Sequence, residues 1–350
     1  MAIGTRLTRR HLLVSGGASL LAGGAFLAGP PAAHALSNAA IRAIDVSAKP
    51  ITKFHRSNGA ERRFGRLEFR GGLVLSSGDS DFGGLSGLLL EPDGQRLLAI
   101  TDEGSWLSAR LVYSANAPAG LSEARMGPLL ARNGRPLDRK RDADAEAIAL
   151  VEGNLTRGVA LVAYERNHRI ARHPIHDGML GAPTSLVTLP PEARRMRSNK
   201  GLEALTILQG GPHRGAMIAF SERYPADTEL HTGWLWVAGE PRRLTIPEIG
   251  GYEITDVASL ADGALLVLER RFRWTEGVRM RLRRFEAASV RPGALPAGET
   301  LLEADMGHEI DNMEALAVHR TGETVLTLAS DNNFNTLLQR TVLLQFGLVG

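Results

Sequence analysis

Apolar residues in this chain come in short runs that are separated by glycine-containing turns and flanked by acidic residues. The clearest example extends from Asp311 to Phe334. Glu314 precedes one apolar run, a turn at Gly322 follows, and a second apolar run ends at Asp331. Two such runs joined by a turn predict an antiparallel hairpin. Because the first strand begins where the second ends, we expect Glu314 and Asp331 to lie side by side.

The same pattern occurs five times along the chain. The leading polar residues are Ser86, Glu146, Glu203, Asp256 and Glu314, at spacings of 60, 57, 53 and 58 residues. The acidic residues that close the hairpins are Asp102, Glu165, Glu222, Glu269 and Asp331. Hairpins at a near-constant spacing predict an all-β fold with radial repetition, a β-propeller.

The two ends of the chain carry strand-like segments outside these repeats, at 41–46, 65–75 and 337–349. Pairing between the ends would close the ring and remove exposed sheet edges. We therefore predict a single domain with six blades, and five or seven blades are the alternatives.

The first 35 residues are predicted to be an export signal. Arg9 and Arg10 form a twin-arginine pair, an apolar segment rich in glycine and alanine follows, and an Ala-x-Ala cleavage site ends at Ala35. A membrane anchor is the alternative, but the small residues and the cleavage site favour removal. We expect a periplasmic or secreted protein whose propeller domain occupies residues 36–350.

Removal of this signal changes the charge balance. The full chain has 41 basic and 38 acidic residues, and the signal contains three arginines and no acidic residue, so 38 of each remain. A neutral chain gives no reason to expect binding to nucleic acid. No later segment is long and apolar enough to span a membrane. The absence of cysteine excludes disulfides, thiol nucleophiles and cysteine-bound zinc.

Radial repetition should bring the leading and closing carboxylates to one end of the axis, where like charges repel one another. Arginine follows the closing residue in three repeats, at Arg166, Arg223 and Arg270. One interpretation is that these acid–arginine pairs only join neighbouring blades. The other is a hard cation, because carboxylates together with the side-chain carbonyls of Asn312, Asn332 or Asn333 form an all-oxygen set that suits calcium.

The repeat segments also resemble a known family. FGGLSGLLLEPDGQRLLAITDEGSW, DAEAIAL, NKGLEALTI, YEITDVASLADGALLVLERRF and DNMEALAV with SDNNF are similar to the phytase-like family, described as "esterase-like activity of phytase", over about residues 64–346. The resemblance implies a propeller akin to the calcium-dependent alkaline phytases. In those proteins a carboxylate-rich central face holds calcium ions that bind substrate phosphates alongside lysine and arginine.

The resemblance and the repeat together yield the candidate site residues. The candidate calcium ligands are Glu146, Glu203, Glu222, Asp256, Glu314 and Asp331. The candidate catalytic cations, which would neutralise an anionic substrate, are Arg166, Lys200, Arg223 and Arg270. Ser86 departs from the pattern, since it stands where the other repeats lead with a carboxylate.

These observations predict an exported, monomeric hydrolase that acts on small phosphate esters with a calcium-bearing acidic face. A non-catalytic periplasmic propeller that binds a ligand or partner is one alternative. A metal-dependent lactonase or carboxylesterase is another. Metal content distinguishes the first alternative from the hydrolase, and a substrate profile distinguishes the second.

Overall fold

The structure, a computed structural model, describes residues 41–224 and 229–349, so the predicted export signal lies outside the described residues. Besides one short helix, α1 (Lys140–Ala143), and two 3₁₀ turns (Pro191–Arg195 and Ala287–Ser289), the regular structure is β. The strands in chain order are β1 (Arg42–Ala43), β2 (Val46–Ile51), β3 (Arg63–Phe64), β4 (Leu67–Ser77), β5 (Leu85–Leu90), β6 (Arg96–Thr101), β7 (Ser105–Ser114), β8 (Ala117–Pro128), β9 (Ala145–Gly153), β10 (Arg157–Tyr164), β11 (Arg169–His176), β12 (Met179–Leu180), β13 (Ser185–Leu186), β14 (Leu202–Ile207), β15 (Met217–Ser221), β16 (Leu230–Val237), β17 (Glu240–Pro247), β18 (Glu253–Ser259), β19 (Leu265–Arg273), β20 (Gly277–Phe285), β21 (Gly293–Ala294), β22 (Glu299–Ala304), β23 (Asn312–Thr321), β24 (Glu323–Asp331) and β25 (Thr341–Leu348).

These strands form five sheets, which are the blades of a β-propeller. Blade 1 contains β5 to β8 with β1 at its outer edge, and blade 2 contains β9 to β13. Blade 3 contains β14 to β17 and β21, and blade 4 contains β18, β19, β20 and β22. Blade 5 contains β23, β24, β25, β4 and β2, with β3 paired to β4. The first strands of the blades (β5, β9, β14, β18 and β23) each pack against the first strands of both neighbouring blades, so they line the central axis.

The all-β propeller is as predicted, but the prediction of six blades is wrong, because the chain ends complete blade 5. Leu343 of β25 lies opposite Leu73 of β4 on one side and Ala329 of β24 on the other. The segment at 41–46 contributes β1 to blade 1 instead, where Arg42 lies opposite Met126. The terminal segments supply outer strands only. A sixth blade would need an inner strand of its own, and no further leading hairpin exists in the sequence.

Apolar side chains fill the space between each pair of adjacent blades in five buried clusters, one at each contact between blades. Between blades 4 and 5, Phe54 packs edge-on against Phe346 with ring centroids 5.0 Å apart. Because every sheet is buried on both faces, apolar and polar residues alternate little along its inner strand, which has a nearly continuous apolar sequence. None of the helices in the described ranges has the length and hydropathy needed to cross a membrane.

Candidate metal centre at one end of the axis

Each inner strand carries a β-bulge near its start, where one residue has no partner on the second strand. These residues are Ser86, Glu146, Glu203, Thr255 and Glu314. A bulge re-aims a side chain relative to the regular alternation of a strand. The hydroxyl of Ser86 donates a hydrogen bond to the carbonyl of Ala145 in the next blade at 2.6 Å, and Thr255 does the same to Met313 at 3.1 Å. A serine or threonine at the bulge therefore links two neighbouring blades. A glutamate at the bulge instead places its carboxylate at the central axis.

Blade 4 is displaced by one residue from the alignment that the sequence predicts. Thr255 occupies the bulge, Glu269 lies opposite Ile254, and Arg270 lies opposite Glu253. Arg270 thereby takes the position that the closing carboxylates Asp102, Glu165, Glu222 and Asp331 hold in the other blades. The predicted equivalence of Asp256 and Glu269 with the carboxylates of the other repeats is wrong.

Asp256 instead lies among backbone amides. Its Oδ2 accepts a hydrogen bond from the amide of Leu316 in blade 5 at 2.7 Å, and its Oδ1 accepts one from Val257 at 2.8 Å. Burial raises the pKa of Asp256 well above its usual range, and the amide donors oppose that increase. The position is held by glycine or alanine in the other repeats, so the contact that Asp256 makes to β23 is specific to blade 4.

Glu269 is fully buried in an ion-pair cluster of blade 4, close to His231 of blade 3. Its Oε2 accepts hydrogen bonds from Nε of Arg281 at 2.7 Å and from Nε of Arg283 at 2.8 Å. Both arginines belong to β20, the strand that pairs with β19. A buried pair of this kind fixes geometry, and removing one partner leaves an uncompensated charge.

The remaining carboxylates meet a set of cations at one end of the axis, and we call this group the acidic rim. Its nine carboxylates are Asp102, Asp144, Glu146, Glu165, Glu203, Glu222, Glu253, Glu314 and Asp331. Its five cations are Lys140, Arg166, Lys200, Arg223 and Arg270. Full ionisation of the nine carboxylates would leave four negative charges in excess over the five cations.

Two groups of three carboxylates approach one another closely enough to share an ion. The groups are Asp144, Glu146 and Glu165, and Glu165, Glu203 and Glu222; within each, one oxygen atom per residue lies within 4.8 Å of the others. Calcium binds oxygen at about 2.3–2.6 Å, so two of its ligands lie up to about 5 Å apart. The all-oxygen donor set and its spacing therefore fit a hard dication.

Asp102 adds a second observation at the same site. Its Oδ1 is buried and has no hydrogen-bond partner among the residues that the structure describes. A buried carboxylate oxygen without a partner costs free energy, and a bound cation would satisfy it.

Burial and mutual repulsion raise the pKa values of the rim carboxyls. Burial, followed by the charge of Glu203, raises the pKa of Glu146 well above its usual range. Burial and the charge of Glu222 do the same for Glu203. Burial and the neighbouring Glu253 raise the pKa of Glu222 to about 7, and burial raises that of Asp102 to about 6. Without a cation, the rim consequently retains protons close to neutral pH.

Two lysines bridge pairs of rim carboxylates. Nζ of Lys140 lies 2.7 Å from Oδ2 of Asp102 and 2.8 Å from Oδ1 of Asp144. Nζ of Lys200 lies 3.0 Å from Oε1 of Glu222 and 3.1 Å from Oε1 of Glu253. Each lysine is partly exposed, so it faces both the rim and solvent.

Arg270 connects the rim to blade 5. Its Nη1 donates a hydrogen bond to Oδ1 of Asn312 at 2.7 Å, and its Nη2 lies 3.6 Å from Oε1 of Glu314. The side-chain Nδ2 of Asn312 donates to Oε1 of Glu314 at 2.7 Å and to Oδ2 of Asp331 at 3.4 Å. The expectation that Glu314 and Asp331 lie side by side is confirmed.

The remaining two arginines lie at the outer edge of the rim. Arg166 pairs with Asp144, and Nη2 of Arg223 lies 3.3 Å from Oε1 of Glu253. Both guanidinium groups are substantially exposed, so they can also contact a molecule that approaches from solvent.

The structure thus brings together five of the six predicted metal ligands and all four predicted cations, while Asp256 lies outside the rim. Sequence reasoning assigned no role to Asp144, Glu253 or Lys140. Asp144 precedes Glu146 by only two residues in the same repeat segment, so the sequence contained a signal for its place at the rim. The position of Glu253 at the rim depends on the register of blade 4, which the sequence does not reveal.

Comparison with known proteins identifies the family of the chain. The family model described as "Phytase-like: Esterase-like activity of phytase" matches residues 80–334. No curated protein matches the chain. Among solved structures, one titled "Structure of Dos1 propeller" is similar at 8% sequence identity and a TM-score of 0.35, covering 81% of this chain and 75% of that one.

Proposed function

Because this chain belongs to the phytase-like family, whose description is esterase-like activity of phytase, we propose that it is a calcium-dependent hydrolase of phosphate esters. The observation that carries the proposal is the excess of carboxylates over cations at the acidic rim, with two groups of three carboxylates whose oxygen atoms lie within 4.8 Å of one another. Structural ion pairs alone would leave no such excess.

The residues that would hold calcium are Asp144, Glu146 and Glu165 in one group, and Glu165, Glu203 and Glu222 in the other. Bound there, calcium would supply Lewis-acid polarisation of a phosphoryl oxygen and compensation of its negative charge. Asp256 is not included, because both of its oxygen atoms accept backbone hydrogen bonds.

The cations of the rim would bind and orient the phosphate group. Lys200 and Arg270 flank Glu222, with Arg270 Nη2 3.9 Å from Glu222 Oε1 and Lys200 Nζ 3.0 Å from the same atom. A phosphate bound beside Glu222 would be within reach of both positive charges. Arg166 and Arg223 carry exposed guanidinium groups that can contact further oxygen atoms of the ester. Donors already in place stabilise charge that develops in a transition state without reorganisation.

The test is hydrolysis of p-nitrophenyl phosphate by the metal-stripped protein, with and without added calcium. We expect activity only when calcium is present, and its loss on addition of a chelator. Glu203→Gln should abolish most of it, whereas Glu240→Gln, a change at an exposed glutamate on β17, should leave it intact.

Parallel assays with p-nitrophenyl butyrate and a γ-lactone address the alternative activities. Calcium-dependent cleavage of either one, without cleavage of the phosphate, would replace the proposal with a carboxylesterase or lactonase. No bound metal and no hydrolysis of any of the three would favour the non-catalytic binding propeller.

A further inference from the structure

The middle hairpin of blade 4 continues as regular β-structure past the acidic rim. It extends beyond Arg270 through three more residue pairs, which end with Arg273 opposite Gly277. In blades 1, 2 and 3 the second strand stops at the rim, at Thr101, Tyr164 and Ser221. The projecting hairpin therefore forms a wall beside the rim.

Aromatic side chains at the tip of this wall face solvent. Phe272 is 52% exposed and Trp274 is 88% exposed, and their ring centroids lie 5.4 Å apart. The tip of a hairpin usually consists of glycine and small polar residues, and large apolar side chains there contribute nothing to the turn. The two rings therefore call for a functional explanation.

The loop that follows β24 provides the facing wall. Leu337 is 94% exposed and Leu338 is 79% exposed. The loop has a defined conformation, since the amides of Leu338 and Gln339 donate hydrogen bonds to the carbonyl of Asn335 at 3.1 and 2.9 Å. Its two leucines are thus held at the surface by the backbone.

A cavity of about 840 Å³ lies between the two walls, and its lining also includes Arg270 of the acidic rim and its partner Asn312, together with the ion pair of Arg340 and Glu309. Of the ten large apolar side chains that are exposed in the described part of the chain, five line this cavity: Phe272, Trp274, Met306, Leu337 and Leu338. We call it the apolar cleft. A concentration of exposed apolar surface beside polar groups marks a ligand groove or an interaction site.

The geometry points to an amphiphilic phosphate monoester as the ligand of this face, with its phosphate at the acidic rim and an alkyl or aryl group in the apolar cleft. The occupant follows from continuity, because one cavity joins Arg270 to Trp274 and Leu337. A fully polar ester would leave the five exposed apolar side chains of the cleft without contact. Turnover of this ligand rests on the proposed function: water adds its hydroxyl to phosphorus, the ester P–O bond breaks, and the leaving alkoxide takes the proton from that water.

Trp274 offers a direct readout of cleft occupancy. All four tryptophans of the chain lie in its described part, and the other three (Trp106, Trp234 and Trp236) are buried. Quenching of fluorescence by acrylamide consequently reports mainly on Trp274. In the presence of calcium, hexyl phosphate should protect Trp274 from the quencher, and ethyl phosphate should do so only at a concentration at least about tenfold higher. Each buried methylene contributes up to about a fourfold gain in affinity, and the open cleft buries part of the chain.

The variants act on the wall that does not contain the reporter. Replacing Leu337 and Leu338 with serine should reduce the preference for hexyl over ethyl phosphate by about tenfold, both in protection and in kcat/KM. Because both leucines are exposed, the change should not impair folding. Leu186→Ser, at a leucine that is 61% exposed on blade 2, is the matched control and should leave the preference unchanged.

The outcomes separate this inference from the proposed function. Protection by hexyl phosphate without hydrolysis of any ester would support the ligand class and refute the hydrolase. Equal hydrolysis of both esters without protection of Trp274 would overturn the inference and leave the hydrolase in place. Protection of Trp274 only by vesicles that contain phosphatidic acid, and not by hexyl phosphate, would also overturn it, since the cleft would then contact a lipid surface.

Discussion

Replacement of Glu203 with glutamine should change the stability of the protein in opposite directions with and without calcium. Glu203 lies in the rim, where burial and the charges of Glu222, Glu165 and Glu314 raise its pKa well above the usual range. Glutamine keeps the shape of the side chain and removes the charge. Without calcium the variant should be at least as stable as the wild type at pH 8, because one buried like charge is gone.

With calcium the order should reverse. A ligand that binds only the folded state at a hundredfold excess over its Kd stabilises by about 2.7 kcal/mol. For a chain of this length, 1 kcal/mol moves Tm by roughly 1.5 °C, so calcium should raise the wild-type Tm by about 4 °C. If the variant binds a hundredfold more weakly, the gain falls to about 0.4 kcal/mol and the shift to less than about 1 °C.

The assay is thermal unfolding followed by circular dichroism at pH 8, in chelator and in excess calcium. Glu240→Gln is the control, because Glu240 is exposed on β17, and it should retain the full calcium shift. A variant that responds to calcium as strongly as the wild type would refute the assignment of Glu203 as a ligand. A wild type that does not respond at all would show that the rim is balanced by protons, lysines and arginines alone.

Three further predictions concern pH, the buried ion pairs and export. In chelator, Tm should fall as pH is raised from 5 to 8, because the folded state holds protons on Asp102 (pKa about 6) and Glu222 (pKa about 7) that the unfolded chain releases near pH 4–5. Loss of the Glu222 proton alone costs up to about 3 kcal/mol of stability. A Tm that does not change with pH would contradict the raised pKa values. Arg283→Ala should lower the free energy of unfolding by about 3–5 kcal/mol in urea titrations, because it leaves the buried Glu269 short of a partner. Arg291→Ala, at an exposed site, is the control and should cost less than about 0.5 kcal/mol. Replacing Arg9 and Arg10 with lysine should leave uncleaved precursor in the cytoplasmic fraction, and normal processing would disprove a twin-arginine signal.

Local sequence determined the hairpins and their recurrence. Apolar runs of strand length, turns at glycine and acidic residues at the strand ends are properties of short segments, so each hairpin can be recognised from its own residues. Recurrence at a near-constant spacing then indicated radial repetition, which placed Glu146, Glu203 and Glu314 at one end of an axis. Those three glutamates occupy equivalent bulges in the structure.

Only the tertiary structure decided the register of blade 4 and the number of blades. A shift of one residue turns a side chain to the other face of a strand, and both Thr255 and Asp256 are polar, so the sequence gives no reason to prefer either one. The register is decided by the second strand of the blade. Glu269 forms buried ion pairs with Arg281 and Arg283 on the next strand, and this leaves the following residue, Arg270, at the rim. The blade count depended in the same way on a contact between distant segments, the pairing of β25 with β4, which no local pattern encodes.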